Sequence, residues 1–440
     1  SDSVRQNLVV QKAGLFLSRS QSVYEGLKSY QSNINTKVSQ DIDKINKLGH
    51  KIHELNQQIS KIEAGGIETA MDLRDERDLA LDQLGALAKI SYKEDYKGVV
   101  TVKLEDEYFV DELHTYEIGK KTDKLTGFIT PYWPQLSDTD RDIYVNVFDF
   151  NVDISTALNS DVGELKALIM SRGDHWADYS DIEGKGEQEY LDTTNLSVII
   201  DMQAKLDQMV HNMITAINDQ LCPNVTGPVG VTYQDANGNT VNLSDAKVLD
   251  TENCARGSDG ELPPRELFVR AGIERYTEVT GSDGKTYYVY NEEDTSDTSY
   301  MYSLTSCGVN EDLKKIETLF PHLKQNGEVD QQLGERLEAL WNKDLVGLDP
   351  TDPDECNIEE YYQKMIGGLA TVGNVYQKKA ENLAGSVLTI ENNRQQVIGV
   401  SSDEELQNMI KFQNAYNASS RFMTVISDMI EHIVTRLGNG

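Results

Sequence analysis

No stretch of this 440-residue chain approaches 18 consecutive apolar residues, so nothing in it can cross a bilayer as a hydrophobic helix. Basic residues are scarce: 41 Lys and Arg stand against 73 Asp and Glu, a formal net charge of −32. That balance argues against nucleic acid as a partner, because phosphate binding needs a basic face. It also opposes docking on an anionic membrane surface, while keeping a secreted or surface-exposed chain soluble at high concentration. Cysteine is rare as well. Cys222, Cys254, Cys307 and Cys356 lie 32, 53 and 49 residues apart, with no CxxC or Cys/His spacing for a metal. One or two disulfides remain open, and four partly buried free thiols are the plainer reading.

Catalytic signatures are missing too: no GxGxxG, P-loop or GxSxG occurs. His53-Glu54 opens HELNQ without the second His that a zinc-protease helix needs, so it reads as a solvated helix face. Asp235, Asn237 and Asn239 have the first spacings of a calcium loop. Thr240 and Ala246 stand where that loop needs Gly and Glu, so a plain turn is expected. Asn195-Leu-Ser, Asn224-Val-Thr and Asn242-Leu-Ser fit a glycosylation triplet that is common by chance. These absences predict no enzyme, no metal and no cofactor. No signal peptide is visible, and the chain opens SDSVRQN without an initiator Met, which implies a natural start further upstream.

What the chain does have is helical periodicity at both ends. Met409, Phe412, Tyr416, Ser419, Met423, Ile426, Ile430, Ile433 and Leu437 recur at spacings of 3 and 4, and only Ser419 is not apolar. A 3.5-residue period held over four heptads predicts a coiled-coil seam, about 45 Å long at 1.5 Å per residue. Residues 4–64 predict one long helix, with Val23, Leu27, Tyr30, Ile34, Val38, Ile42, Ile45, Leu48, Ile52, Leu55, Ile59 and Ile62 in register and Gly65-Gly66 ending it. A second helix is expected from about Thr69 to Ile90, with Leu73, Leu81, Leu84 and Leu87 on one face. Bundle packing within one chain is the alternative account of such heptads, weaker for the last helix because it is terminal and more strictly periodic.

Between the helical ends the period changes to two. Val100, Val102 and Leu104, an acidic turn and Tyr108-Phe109-Val110 predict a hairpin. Ile143, Val145 and Val147 alternate again, and Pro131, Trp133 and Pro134 mark a loop before them. Helices return near Val162–Ile169 and from Leu196 to Leu221. From Pro223 to Cys307, Gly, Asp, Asn, Thr and Tyr dominate, with β-like runs at 266–271, 285–290 and 300–305. Helical periodicity resumes near Leu313 and again from Met365. The expected fold is α+β, a long coiled-coil-like helical bundle built from both ends of the chain with a β-rich inserted domain. Its parts are 1–222, including a small β-hairpin region near 98–150, then the insert at 223–310, then 311–440 with the terminal heptad helix 401–437. In this arrangement the helices of the two ends pair.

The stretch GVSSDEELQNMIKFQNAYNASSRFMTVISDMIEHIVTRL (399–437) resembles the C-terminal signature of the flagellar axial proteins, through Gly399-Val400-Ser401, Glu404-Glu405, Phe412-Gln413, Ala415-Tyr416 and Ala418-Ser419. INKLGHKIHELNQQISKI (45–62), Asp72-Leu73-Arg74-Asp75-Glu76-Arg77-Asp78, Gly163-Glu164-Leu165, Ile217-Asn218, Tyr361-Tyr362 and Ile366-Gly367 narrow the resemblance to the hook-associated junction branch of that family. It implies a structural subunit of the bacterial flagellum, exported through the flagellar channel and forming a ring between hook and filament. The implied partners are the hook protein, the second junction protein, further copies of the chain, and an export chaperone on the C-terminal helix. The implied assembly interface is Met409, Phe412, Tyr416, Met423, Ile426, Ile430, Ile433 and Leu437. Family members begin with a further N-terminal stretch, absent here, whose helix pairs with the C-terminal one. Another axial protein, or a non-flagellar coiled-coil scaffold, shares parts of the pattern.

Overall fold

Among the described residues, long helices appear where the spacing of 3 and 4 predicts them. The computed structural model describes residues 2–66, 69–150 and 163–398. They form two compact units, one of residues 25–177 and 184–204, the other of 1–24, 178–183 and 205 onward.

The first unit is built on helix α1 (Asp2–Glu63), which ends where Gly66 adopts φ +65° and donates to the Glu63 carbonyl. Leu27, Ile34, Val38, Ile42, Ile45, Leu48 and Ile52 are buried along one stripe of α1. They share a core with Leu81, Leu84 and Leu87 of helix α2 (Met71–Leu87) and with a three-stranded antiparallel sheet, β1 (Ile90–Glu94), β2 (Val100–Leu104) and β3 (Glu107–Val110). Between β2 and β3 the two-residue turn Glu105-Asp106 takes φ of 50° and 68°, the twist that suits a tight hairpin. A second hairpin pairs β4 (Gly119–Thr122) with β5 (Ile129–Tyr132). Helices α3 (Glu164–Arg172) and α4 (Glu187–Asp192) and the start of α5 (Val198–Leu221) complete the unit.

Sheet and hairpin are fastened to α1 by its own amides. Asn56 donates to the Val100 carbonyl (2.8 Å) and accepts from the Val100 N–H (3.1 Å). Asn46 does the same with Ile118 (3.0 and 2.8 Å). Asn35 donates to the Gly127 carbonyl (2.9 Å) and accepts from the Ile129 N–H (2.8 Å). Each amide thus does for a strand edge what a neighbouring strand would do. Gly49 lets the β3 hairpin approach, since a Cβ there would lie 2.6 Å from the Phe109 ring.

In the second unit the remainder of α5 carries Leu206, Met209, Val210, Met213, Ile214 and Leu221 into the core. The β-rich stretch begins with β6 (Asn224–Thr226), β7 (Thr232–Gln234), β8 (Thr240–Asn242) and β9 (Lys247–Leu249). It continues with β10 (Phe268–Val269), β11 (Tyr276–Thr280), β12 (Thr286–Tyr290) and β13 (Gly308–Val309). One sheet runs β11-β12-β9-β6, and β7 pairs with β8 and β10 with β13. Helices α6 (Glu311–Lys315), α7 (Gln331–Ala339) and α8 (Ile358–Ile398) follow.

Several expectations need correction. Residues 129–132, where Pro131 predicts a loop, form β5, in which the proline sits at an edge and its carbonyl accepts from Val147 N. Residues 143–147 alternate but form only isolated bridges, Asp138 with Ile143 and Tyr132 with Asn146. The 300–305 run is no strand: Met301, Tyr302, Ser303 and Leu304 are buried in an irregular segment. On α1, Ile62 is exposed and Val23 only half-buried, and Tyr24 enters the core instead.

Candidate assembly surface

The exposed apolar stripes lie on the second unit's long helices. The base of α8 is anchored: the buried Tyr361 hydroxyl lies 3.0 Å from the Lys205 carbonyl and 2.8 Å from Gln208 Oε1, and Met365 is buried. Beyond Met365 the helix leaves its apolar face bare. Val372, Tyr376, Leu383, Val387 and Ile390, at spacings of 4, 7, 4 and 3, are all exposed, Ile390 by 66%. The first turns of α1 repeat the pattern with exposed Val4, Leu8 and Leu15, while Val10, Ala13, Leu17 and Tyr24 are buried. Gln21 fixes that stretch by donating to the Leu304 and Cys307 carbonyls, both at 3.1 Å. Bare apolar stripes of this kind on charged helices mark surfaces made to be covered.

The residues expected to form the interface, Met409, Phe412, Tyr416, Met423, Ile426, Ile430, Ile433 and Leu437, lie outside the described residues. The exposed stripe of α8 runs toward them along the chain.

The second unit also carries a buried polar network that no sequence motif marks. Asp207 is fully buried and accepts from Tyr179 N (2.9 Å), Leu304 N (2.6 Å) and Ser303 Oγ (3.2 Å). Burial pushes its carboxyl up to about 7, against the three donors that favour the ionised form. Burial also raises Glu266 to about 7, although Arg275 lies nearby and the Tyr302 hydroxyl donates to it. Asn218 bridges to the same place, donating to Glu266 Oε2 and the Phe268 carbonyl and accepting from Leu267 N and Phe268 N. The one sequence signal was position: Asp207, His211 and Asn218 interrupt the apolar face of α5 at spacings of 4 and 7.

The Asp72–Asp78 stretch proves structural. Arg74 grips Glu63 through two hydrogen bonds (2.7 and 2.6 Å) and Glu94 through a third (2.7 Å). The bonds from Arg74 to Glu63, helped by Ala70 N, hold the Glu63 carboxyl down at about 2. Arg77, almost fully buried, donates to the Gly98 carbonyl (2.6 Å) and Asn56 Oδ1 (3.1 Å). Asp235, the calcium-loop candidate, closes the β7–β8 turn by accepting from Asn237 N and Asn239 N. His53 meets the Asp111 carbonyl at 3.2 Å. Cys222, Cys254, Cys307 and Cys356 are all free and buried. Among the described residues no group of three or more His, Cys, Asp or Glu could hold a metal ion, and no helix is long and apolar enough to cross a membrane.

Residues 1–230 match the family described as flagellar hook-associated protein FlgK helical domain. Residues 395–436 match the flagellar basal body rod FlgEFG protein C-terminal family. The chain is similar to flagellar hook-associated protein 1 of Bacillus subtilis, 23% identical over 438 residues that cover 95% of this chain and 69% of that protein. Against flagellar hook-associated protein 1 of Salmonella typhimurium it is 19% identical over 451 residues, covering 98% and 76%. The solved structure of the flagellar hook junction protein FlgK from Burkholderia pseudomallei aligns with a TM-score of 0.40 at 13% identity, over 72% of this chain and 56% of that one. The chain thus spans just over half the length of that solved chain.

Proposed function

The chain belongs to the flagellar hook-associated family defined by the FlgK helical domain, and on that premise we propose that it is a structural subunit of the bacterial flagellum at the junction between hook and filament. The observation that carries this reading is the bare apolar stripe of α8. It leads into residues 395–436, the part similar to the rod-protein C-terminal family. In this reading the stripe continues through Met409, Phe412, Tyr416, Met423, Ile426, Ile430, Ile433 and Leu437, and copies of the chain cohere by burying it, at about 25 cal/mol per Å² of apolar surface. The hook protein and the second junction protein are the axial neighbours, copies of the chain close a ring, and an export chaperone covers the C-terminal seam before assembly. Residues 1–222 and 311–440 serve as the axial part, 223–310 as an outer domain facing solvent outside the cell. The family is a structural one, and the proposed role needs no catalytic residue and no cofactor.

A clean deletion scored by electron microscopy of the surface appendages tests the proposal. Hooks that end bare, with filaments restored by the full chain in trans, are the expected result. Filaments of normal number and length in the deletion strain would overturn it.

A further inference from the structure

Helix α2 turns Arg77, Ala80, Leu81, Leu84 and Leu87 inward. Its opposite face therefore carries Met71 and Leu79, 61% and 45% exposed, beside exposed Asp75, Asp78 and Asp82. Like charges at spacings of three and four weaken a helix, and exposed apolar side chains among them gain nothing from water. Of the two arginines of α2, Arg74 is committed to Glu63 and Glu94, and Arg77 is buried against Gly98 and Asn56, its charge acting on Asp78 from within.

The tip of the β4–β5 hairpin in the same unit has the complementary chemistry. Asp123 is turned back into the loop, accepting from Leu125 N (2.9 Å), Thr126 N (2.8 Å) and Thr126 Oγ1 (2.9 Å). Lys124 and Leu125 are exposed, Leu125 by 79%, with Lys121 seated 4.1 Å above the Tyr144 ring. Asn35 holds this hairpin, whereas α2 meets α1 at the Lys51–Glu76 ion pair. Those two points on α1 are about 24 Å apart at 1.5 Å per residue, so the tip and the acidic face of α2 are separate patches of the unit.

We propose that the β4–β5 tip of one copy docks on the outward face of α2 in the next copy, Leu125 against Leu79 and Met71, and Lys121 and Lys124 against Asp75 and Asp78. Because the two patches differ, the contact is head-to-tail and propagates around a ring or along a helix. This rests on the junction-subunit reading and supplies it with a lateral contact distinct from the terminal seam.

The four native thiols are buried, so introduced surface cysteines report selectively. The full chain carrying both Leu79→Cys and Leu125→Cys is expressed in the deletion strain, and sheared hook–filament preparations are treated with a short bis-maleimide. A ladder of covalent multimers is expected from the double variant, and monomer from each single variant. Adding Lys121→Glu and Lys124→Glu lowers the ladder about tenfold through like-charge juxtaposition, and further adding Asp75→Lys and Asp78→Lys restores it. A double variant that supports filaments but stays monomeric overturns this contact and leaves the junction role standing. Absence of the chain from hooks that grow normal filaments overturns the role and the contact with it.

Discussion

Asn56 supplies a donor and an acceptor to Val100 at a buried strand edge, and its Oδ1 also receives Arg77. Truncating it leaves a backbone N–H, a carbonyl and one guanidinium N–H buried without that partner. Asn56→Ala is therefore expected to cost about 3 kcal/mol, read as a shifted denaturant midpoint. Asn35→Ala should cost a comparable amount, because its Oδ1 likewise accepts from the Ile129 N–H and from the guanidinium of buried Arg172 (2.6 Å). Asp207 and Glu266 make a second residue-scale prediction. Their folded-state values near 7 lie above the ordinary 3.8 and 4.5, so the folded state binds the extra protons. Their contribution to stability is complete below about pH 4 and is lost as pH rises through 7, at up to about 1.4 kcal/mol per pH unit for each group. Thermal unfolding followed from pH 5 to pH 8 should show a falling midpoint, and Asp207→Asn should make that fall shallower. A midpoint that rises over this range would contradict the assignment.

At the scale of elements, α1 shows how one periodicity serves different ends. From Leu27 to Ile52 its apolar stripe is used within the chain, on α2 and the β1–β3 sheet. Its first turns keep Val4, Leu8 and Leu15 exposed. Two glycines on the helix separate packing from propensity. A Cβ at Gly14 would meet nothing within 4 Å, while one at Gly49 would strike the fully buried Phe109 ring. Gly14→Ala should thus stabilise the protein by roughly 0.5–1 kcal/mol, the ordinary helix-propensity gain. Gly49→Ala gains the same propensity but overpacks the hairpin, at a cost of roughly 1–3 kcal/mol, and should be net destabilising. Paired melts of the two variants check the opposite signs.

For the whole molecule, the question is what covers the bare stripes when subunits meet. Ile426→Asp combined with Ile430→Asp places two charges in the proposed seam, and a buried unpaired charge costs several kcal/mol. The double variant should keep the fold and melting behaviour of the β-rich part, which does not share that seam, yet fail to assemble on hooks or bind an export chaperone. Wild-type filament growth from cells holding only this variant would remove 409–437 as an assembly surface.

The sequence by itself determined the long helices, the β2–β3 hairpin and the β-rich centre, because each rests on local periodicity and turn chemistry. Gly65-Gly66 stops α1 and Glu105-Asp106 makes the turn with no help from distant residues. It also carried the resemblance, through Asp72–Asp78 and 399–437, without saying what Arg74 and Arg77 hold. Tertiary structure alone decided that the α1 stripe closes on a sheet, that Pro131 lies in a strand while 143–147 does not, and that Tyr302 is core. It alone placed Asn35, Asn46 and Asn56 against strand edges and sank Asp207 out of water. Each of these depends on a partner tens or hundreds of residues away, and the free energy of a polar side chain is set by whether that partner arrives. A heptad reports that a face must be covered; only the packed chain shows which part of it already is.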